Sequence, residues 1–137
     1  MIRKMEHLGL AVQDLEAATD LFARLLGQQP YKTEAVASEG VTTVFFQVGD
    51  FKIELLGATS PDSPVARFLE KRGEGIHHVA FQVDDIEGET RRLQEDGFIF
   101  SGTTRPGADA MQVNFLHPKG THGTLIELCQ PQTTDHD

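Results

Sequence analysis

The feature of this sequence that most constrains its fold is an internal repeat of about seventy residues. The first half opens with a segment that runs from His7 to Leu15, and the second half with a similar segment from His78 to Ile86. In each segment a small residue follows the histidine by two positions and a valine by five, and an aspartate-aliphatic pair ends it. His7 therefore corresponds to His78 and not to His77.

The two halves also end alike. The first half closes on the segment 51–56 and the second on the segment 124–129, and both contain the sequence Ile-Glu-Leu. Glu54 and Glu127 thus occupy equivalent positions, at nearly the same separation from the histidine that opens each half. The repeat therefore carries one histidine and one glutamate in register in each copy.

Residue patterns predict the order β-α-β-β-β in the first half. Alternation over residues 6–12 predicts a strand, and Asp14 is a good N-cap for an amphipathic helix that Gly27 ends. β-branched and aromatic residues, with Gly49-Asp50 as a hairpin turn, predict the later strands. These strands cover residues 31–36, 41–48 and 51–56.

The second half repeats the order after a connector. Turn residues at 60–64 precede a short helix predicted at 65–71, a strand follows at 76–83, and Asp84 or Asp85 caps a helix that continues to about Glu95. The remaining strands are predicted at residues 98–102, 112–117 and 124–130. The predicted fold is α+β, with two paired βαβββ modules that form a curved mixed sheet around a metal-binding cleft.

These patterns predict a single domain over residues 1–130. Module one covers residues 4–57, the connector 58–74 and module two 75–130, followed by a flexible polar tail at 131–137. A chain of 137 residues is long enough to bury a core without disulfides, and Cys129 is its single cysteine, so we expect a cytoplasmic protein. The net charge of −9 argues against nucleic-acid binding, and no apolar run is long enough to cross a membrane.

The repeated histidine and glutamate predict a metal site. Strand periodicity places His7 on the same face as Gly9 and His78 on the face opposite to His77. Buried glutamates flanked by apolar residues are costly unless they are paired or bind a metal ion. Histidine nitrogen and carboxylate oxygen suit a borderline divalent cation such as cobalt, zinc, nickel or manganese. The predicted ligands are His7, Glu54, His78 and Glu127, and the weaker candidates are His77, His117, His122 and His136.

Several segments resemble those of a known family. The paired modules with this ligand pattern are similar to the vicinal oxygen chelate superfamily, and within it to the methylmalonyl-CoA epimerases. The closest likeness lies in four segments, namely Asp62-Ser63-Pro64-Val65-Ala66-Arg67-Phe68-Leu69, Gly73-Glu74-Gly75-Ile76-His77-His78, Arg105-Pro106-Gly107-Ala108 and Phe115-Leu116-His117-Pro118-Lys119.

The resemblance implies a cytoplasmic homodimer with an acyl-CoA substrate and one divalent metal ion per site, cobalt first. It places that ion on His7, Glu54, His78 and Glu127, and it implies catalytic roles for Glu127 and Glu54. Because the CoA phosphates need local positive charge, Lys119 and Arg105 are candidate substrate-binding residues.

The sequence departs from some epimerases at one position, where Thr43 stands in place of a glutamate base. Glu54, which aligns with a glutamine of those relatives, and Glu39 are the candidate replacements. Two alternatives share the fold: a glyoxalase I-like lactoylglutathione lyase and a non-enzymatic antibiotic-binding resistance protein.

Overall fold

The computed structural model describes residues 1–132, and it confirms an α+β fold built on a mixed sheet. The described chain contains eight strands and three α-helices. In chain order they are β1 Ile2–Ala11, α1 Leu15–Leu26, β2 Lys32–Val36, β3 Val41–Val48, β4 Phe51–Ala58, α2 Pro64–Arg72, β5 Gly75–Val83, α3 Ile86–Glu95, β6 Arg105–Pro106, β7 Met111–Leu116 and β8 Ile126–Pro131.

Backbone contacts divide the chain into two compact units. The first unit is the continuous segment His7–His78. The second unit combines Met1–Glu6 with the described residues from Val79 to 132.

In the first unit the strands lie in the order β2-β3-β4-β1, with β1 parallel to β4 and the other pairs antiparallel. Asp14 caps α1 by accepting a hydrogen bond from the backbone N–H of Ala17, and Gly27 ends the helix in the left-handed conformation. Leu10 of β1 packs against α1, in one core cluster with Phe46. The other residues of this cluster are Leu15, Ala18, Phe22, Ala23, Leu26, Val44, Ile53 and Leu55.

The helix α2 lies in the connector and belongs to a separate core cluster. Ser63 caps it by accepting from the N–H of Ala66, and Pro64 stands at its first turn, where a missing N–H costs nothing. Val65 and Leu69 of this helix pack against Ala11 of β1. The face of β1 that carries His7, Gly9 and Ala11 is therefore closed at its C-terminal end by α2.

In the second unit the strands lie in the order β5-β8-β7-β6, with β5 parallel to β8. Asp85, not Asp84, caps α3, and it accepts from the N–H of Gly88. Asp84 instead accepts two hydrogen bonds from Arg3, at 3.0 and 2.5 Å. The two neighbouring aspartates therefore have different partners, since Asp85 caps α3 and Asp84 pairs with Arg3.

The strand predicted at residues 98–102 is wrong. Phe100 forms only an isolated bridge with Leu116, and the edge strand is β6, whose Arg105 pairs with Val113 of β7. Phe98 and Phe100 are packed in the core cluster of α3 while Ile99 is exposed. The alternation of apolar residues in this segment thus reflects which side chains are buried. Such burial does not require the continuous backbone hydrogen bonds of a strand.

The end of the described chain is better ordered than the sequence predicts. β8 continues to Pro131, and the N–H of Gln132 donates to the carbonyl of Ala110 at 2.9 Å. The rest of the predicted tail, residues 133–137, lies outside the described residues. Among the helices within residues 1–132, none has the length and apolarity needed to span a membrane.

Candidate functional site

His7 and His78, the two end residues of the segment that forms the first unit, are buried and point their Nε2 atoms at one another. The two nitrogens are 2.9 Å apart, and the rings are nearly perpendicular, with an interplanar angle of 86°. Neighbouring ligand atoms around an octahedral ion with metal–nitrogen bonds of about 2.1 Å are about 3.0 Å apart. Both residues are among the groups whose ligand atoms could hold a metal ion. The separation of the two nitrogens therefore fits a shared metal ion.

Gly9 makes room for the His78 ring. A Cβ placed on Gly9 would lie only 2.6 Å from Nδ1 and 2.8 Å from Nε2 of His78, closer than real side chains approach. Gly9 also stands opposite Glu54 in the parallel pairing of β1 with β4. The small residue that the repeat places two positions after His7 is thus the residue over which the second histidine packs.

Glu54 contacts the other nitrogen of His7. Its Oε2 lies 3.2 Å from Nδ1, and its side chain is almost completely buried. An ionised carboxylate only accepts hydrogen bonds, so with Glu54 ionised this contact requires a proton on Nδ1, and a neutral His7 then presents the lone pair of Nε2 toward His78. Glu54 contacts Nδ1 of His7 and His78 contacts Nε2, so in this arrangement Glu54 orients the His7 ring. To coordinate an ion held at Nε2, the Glu54 carboxylate must leave Nδ1.

His77, the histidine that does not correspond to His7 in the repeat, contacts His78 through its ring. The two Nδ1 atoms are 3.0 Å apart, and the His77 ring packs against Phe68 of α2, with centroids 5.0 Å apart. Strand alternation predicts opposite faces for neighbouring residues, but it says nothing about ring atoms that turn back toward the strand. No residue pattern in the sequence identifies this contact.

Glu127 lies on β8 in the second unit. It stands opposite Ala80 of β5 in a parallel pairing, which is the same relation that Glu54 has to Gly9. In each half of the repeat, the strand that carries the repeated histidine lies parallel to the strand that carries the repeated glutamate. The glutamate stands opposite the residue two positions after the histidine. The four predicted ligands are all buried, with exposed fractions of 4% for His7, 5% for Glu54, 6% for His78 and 5% for Glu127.

The predicted base position and the predicted substrate-binding residues differ in environment. Thr43 is 2% exposed on β3 and carries no ionisable group, whereas Glu39 is half-buried in a 3-10 turn before that strand. Arg105 is half-buried, with its guanidinium 5.4 Å from the ring centroid of Phe115. Lys119 is exposed in a 3-10 turn after β7. An exposed lysine and a stacked arginine are both able to meet anionic groups.

A second buried carboxylate in the second unit has a different role. Glu89 of α3 is 5% exposed, and its Oε2 accepts from Nε of Arg92 at 2.8 Å. The hydrogen bond from Arg92, with a further one from the N-terminal amine of Met1, holds the pKa of Glu89 below its ordinary value. This group therefore stays ionised at neutral pH and stabilises the start of the chain against α3.

Comparison with known proteins finds a matching family model and a relative that is similar over nearly its whole length. The family model of the glyoxalase/bleomycin resistance protein/dioxygenase superfamily matches residues 6–115. An ethylmalonyl-CoA/methylmalonyl-CoA epimerase of Cereibacter sphaeroides is 41% identical over 133 residues, which cover 95% of this chain and 99% of the relative.

Two solved structures extend this likeness to the fold. The methylmalonyl-CoA epimerase of Mycobacterium tuberculosis superimposes with a TM-score of 0.92 at 32% identity, over 96% of this chain and 90% of the other. A variant of the Streptomyces coelicolor methylmalonyl-CoA epimerase, solved with 2-nitronate-propionyl-CoA, has a TM-score of 0.91 at 29% identity, over 97% and 100% of the chains.

Proposed function

The chain belongs to the glyoxalase/bleomycin resistance protein/dioxygenase superfamily, and from that premise we propose that it interconverts the (R) and (S) forms of methylmalonyl-CoA. The full-length likeness to epimerases supports this proposal. The observation that carries it is the buried pair of histidines whose Nε2 atoms converge, with a buried glutamate in the same register in each unit. That donor set suits a metal-assisted proton transfer.

The metal ion in this proposal is held by His7, His78 and Glu127, with Glu54 as the fourth ligand. Cobalt is the first choice, and zinc, nickel or manganese would suit the same nitrogen and oxygen donors. When bound, a divalent ion stabilises the negative charge that develops on the thioester oxygen as the C2 proton leaves. The 2.9 Å separation of the two Nε2 atoms supports the histidine half of this set.

Epimerisation at C2 requires a group that removes a proton from one face and a group that returns a proton to the other. Glu127 and Glu54 are the proposed pair, because they are equivalent residues of a repeat and are both buried. One carboxylate accepts the proton from C2, and the other carboxyl group donates a proton to the opposite face. No electrons are gained or lost in the exchange.

The acyl carrier needs a site of its own. We assign its phosphates to Lys119 and Arg105, since a protein with a net charge of −9 has to concentrate positive charge locally to bind them. In the resulting complex the acyl group of the substrate would lie at the buried histidines and glutamates, and the CoA phosphates would lie at Lys119 and Arg105.

The direct test of this function measures loss of deuterium from C2-labelled methylmalonyl-CoA in the presence of the protein and cobalt. Wild type should exchange the label, while His78→Ala should bind no metal ion and exchange none. Lactoylglutathione formation from the glutathione hemithioacetal, with no exchange on the CoA ester, would show that the protein is a glyoxalase I-like lyase instead.

A second test separates the roles of the two carboxylates. We expect Glu54→Gln to keep much of the metal binding, because the amide oxygen can still coordinate or accept from His7, but to slow epimerisation sharply. Solvent exchange from one epimer should survive in that variant through Glu127, and Glu127→Gln should show the opposite stereochemical bias. Full activity in Glu54→Gln would remove Glu54 as a required base and leave Glu39 or a water molecule to be tested.

A further inference from the structure

We propose that His77 is a positioning residue for the metal centre, which accepts a hydrogen bond from Nδ1 of His78 and so keeps Nε2 of His78 available to the ion. The inference rests on the proposed function, since it assumes that His78 is a ligand. It assigns a role to a histidine that is not repeated in the first half of the chain.

The contacts form one continuous row of side chains. Oε2 of Glu54 meets Nδ1 of His7, the two Nε2 atoms of His7 and His78 face each other, and Nδ1 of His78 meets Nδ1 of His77. Each of the two inner histidines therefore offers Nε2 to the centre and has a partner at Nδ1.

The chemistry of a histidine ligand decides the direction of the outer hydrogen bonds. A neutral imidazole that binds a metal ion through Nε2 carries its proton on Nδ1, and an acceptor at Nδ1 fixes both the tautomer and the ring orientation. In the structure Glu54 is the acceptor for His7, a contact that it gives up when it serves as the fourth ligand. His77 can be only a neutral acceptor for His78, with the lone pair on its own Nδ1 and its proton on Nε2.

Packing holds the His77 ring where this hydrogen bond requires it. The ring meets that of Phe68 edge-on, at an interplanar angle of 70°, and Phe68 is in turn covered by the guanidinium of Arg72, which lies 5.8 Å from its centroid. Both residues belong to α2, whose Ser63 cap and buried Val65 anchor it to the first unit. The connector helix thus has a second use beyond joining the halves of the repeat.

Two substitutions of His77 separate hydrogen bonding from packing. In His77→Asn the side-chain Oδ1 takes approximately the place of Nδ1 and can accept from His78, whereas in His77→Leu the apolar contact with Phe68 remains and the acceptor is lost. Removal of such an outer partner typically weakens metal affinity by about 10-fold to 100-fold. We therefore expect His77→Leu to bind Zn²⁺ more weakly by that factor and His77→Asn to stay within a few-fold of wild type.

The experiment measures Zn²⁺ affinity by competition with a chromophoric chelator for wild type, both His77 variants and His78→Ala. Histidine-selective ¹⁵N NMR of the zinc form adds the tautomers, which should show the proton of His78 on Nδ1 and that of His77 on Nε2. Equal affinities in His77→Leu and wild type, equal losses in both His77 variants, or a proton on Nδ1 of His77 in the zinc form would each overturn the inference.

The His78→Ala arm tells the two proposals apart. If His78→Ala binds Zn²⁺ as tightly as wild type, the metal centre itself is misplaced and the inference falls with it. If His78→Ala loses the ion and His77→Leu does not weaken it, the metal centre stands and only the role of His77 is refuted.

Discussion

The substitution Gly9→Ala tests the geometry of the site most directly, because it adds one methyl group beside a predicted ligand and removes none. The new Cβ would lie 2.6 Å from Nδ1 and 2.8 Å from Nε2 of His78. An ordinary van der Waals contact of about 3.5 Å requires the ring to retreat by about 0.9 Å at Nδ1, and by more at Cε1, the ring atom nearest to the new Cβ. A metal ligand tolerates about 0.2 Å, so His78 should no longer coordinate in its present position.

The expected energies follow from this displacement. Overpacking a buried site costs typically about 1–3 kcal/mol, so the metal-free variant should fold but with a lower free energy of unfolding. If the displaced ring weakens metal affinity by about 100-fold, a metal concentration of 100 times the wild-type Kd stabilises wild type by about 2.7 kcal/mol and the variant by only about 0.4 kcal/mol. The variant should therefore lose most of the rise in Tm that metal gives wild type.

The assay is thermal unfolding of each protein with and without Co²⁺ or Zn²⁺, together with Kd from chelator competition. Gly57→Ala is the matched control, since it adds a Cβ to another strand of the same unit, where it meets the side chain of Leu15 at 3.2 Å. The control should lose some stability and keep the full metal-induced rise in Tm. An unchanged metal Kd in a folded Gly9→Ala variant would refute the claim that Gly9 positions His78.

Two further predictions concern charged residues. Lys119→Ala and Arg105→Ala should each raise KM for the CoA ester and leave turnover of a truncated thioester nearly unchanged; equal losses on both substrates would place these cations elsewhere. Glu89→Gln should lower the free energy of unfolding at pH 7 by up to about 1 kcal/mol. Because Arg92 lowers the pKa of Glu89, that difference should persist above the ordinary value of 4.5 and vanish as pH falls through the folded pKa. A difference that does not shrink toward acid pH in denaturant titrations would contradict this assignment.

Much of the fold was predictable because its signals are local. Asp14 and Gly27 mark both ends of α1 through hydrogen bonds made within a few residues, and the structure confirms both. The register of Glu54 opposite Gly9 and of Glu127 opposite Ala80 agrees with an alignment of the two halves made from sequence alone. The prediction of a strand at residues 98–102 failed because alternate residues are buried both in strands and in irregular segments that run alongside a strand.

The sequence by itself determined which residues recur, and so which histidine and which glutamate of each half are equivalent. It could not determine that Glu54 meets Nδ1 of His7 while His78 meets Nε2, or that His77 turns its ring back to His78. A residue pattern indicates on which face of a strand a side chain lies. The choice of ring nitrogen depends on contacts between strands and helices far apart in the chain, and only tertiary packing fixes those.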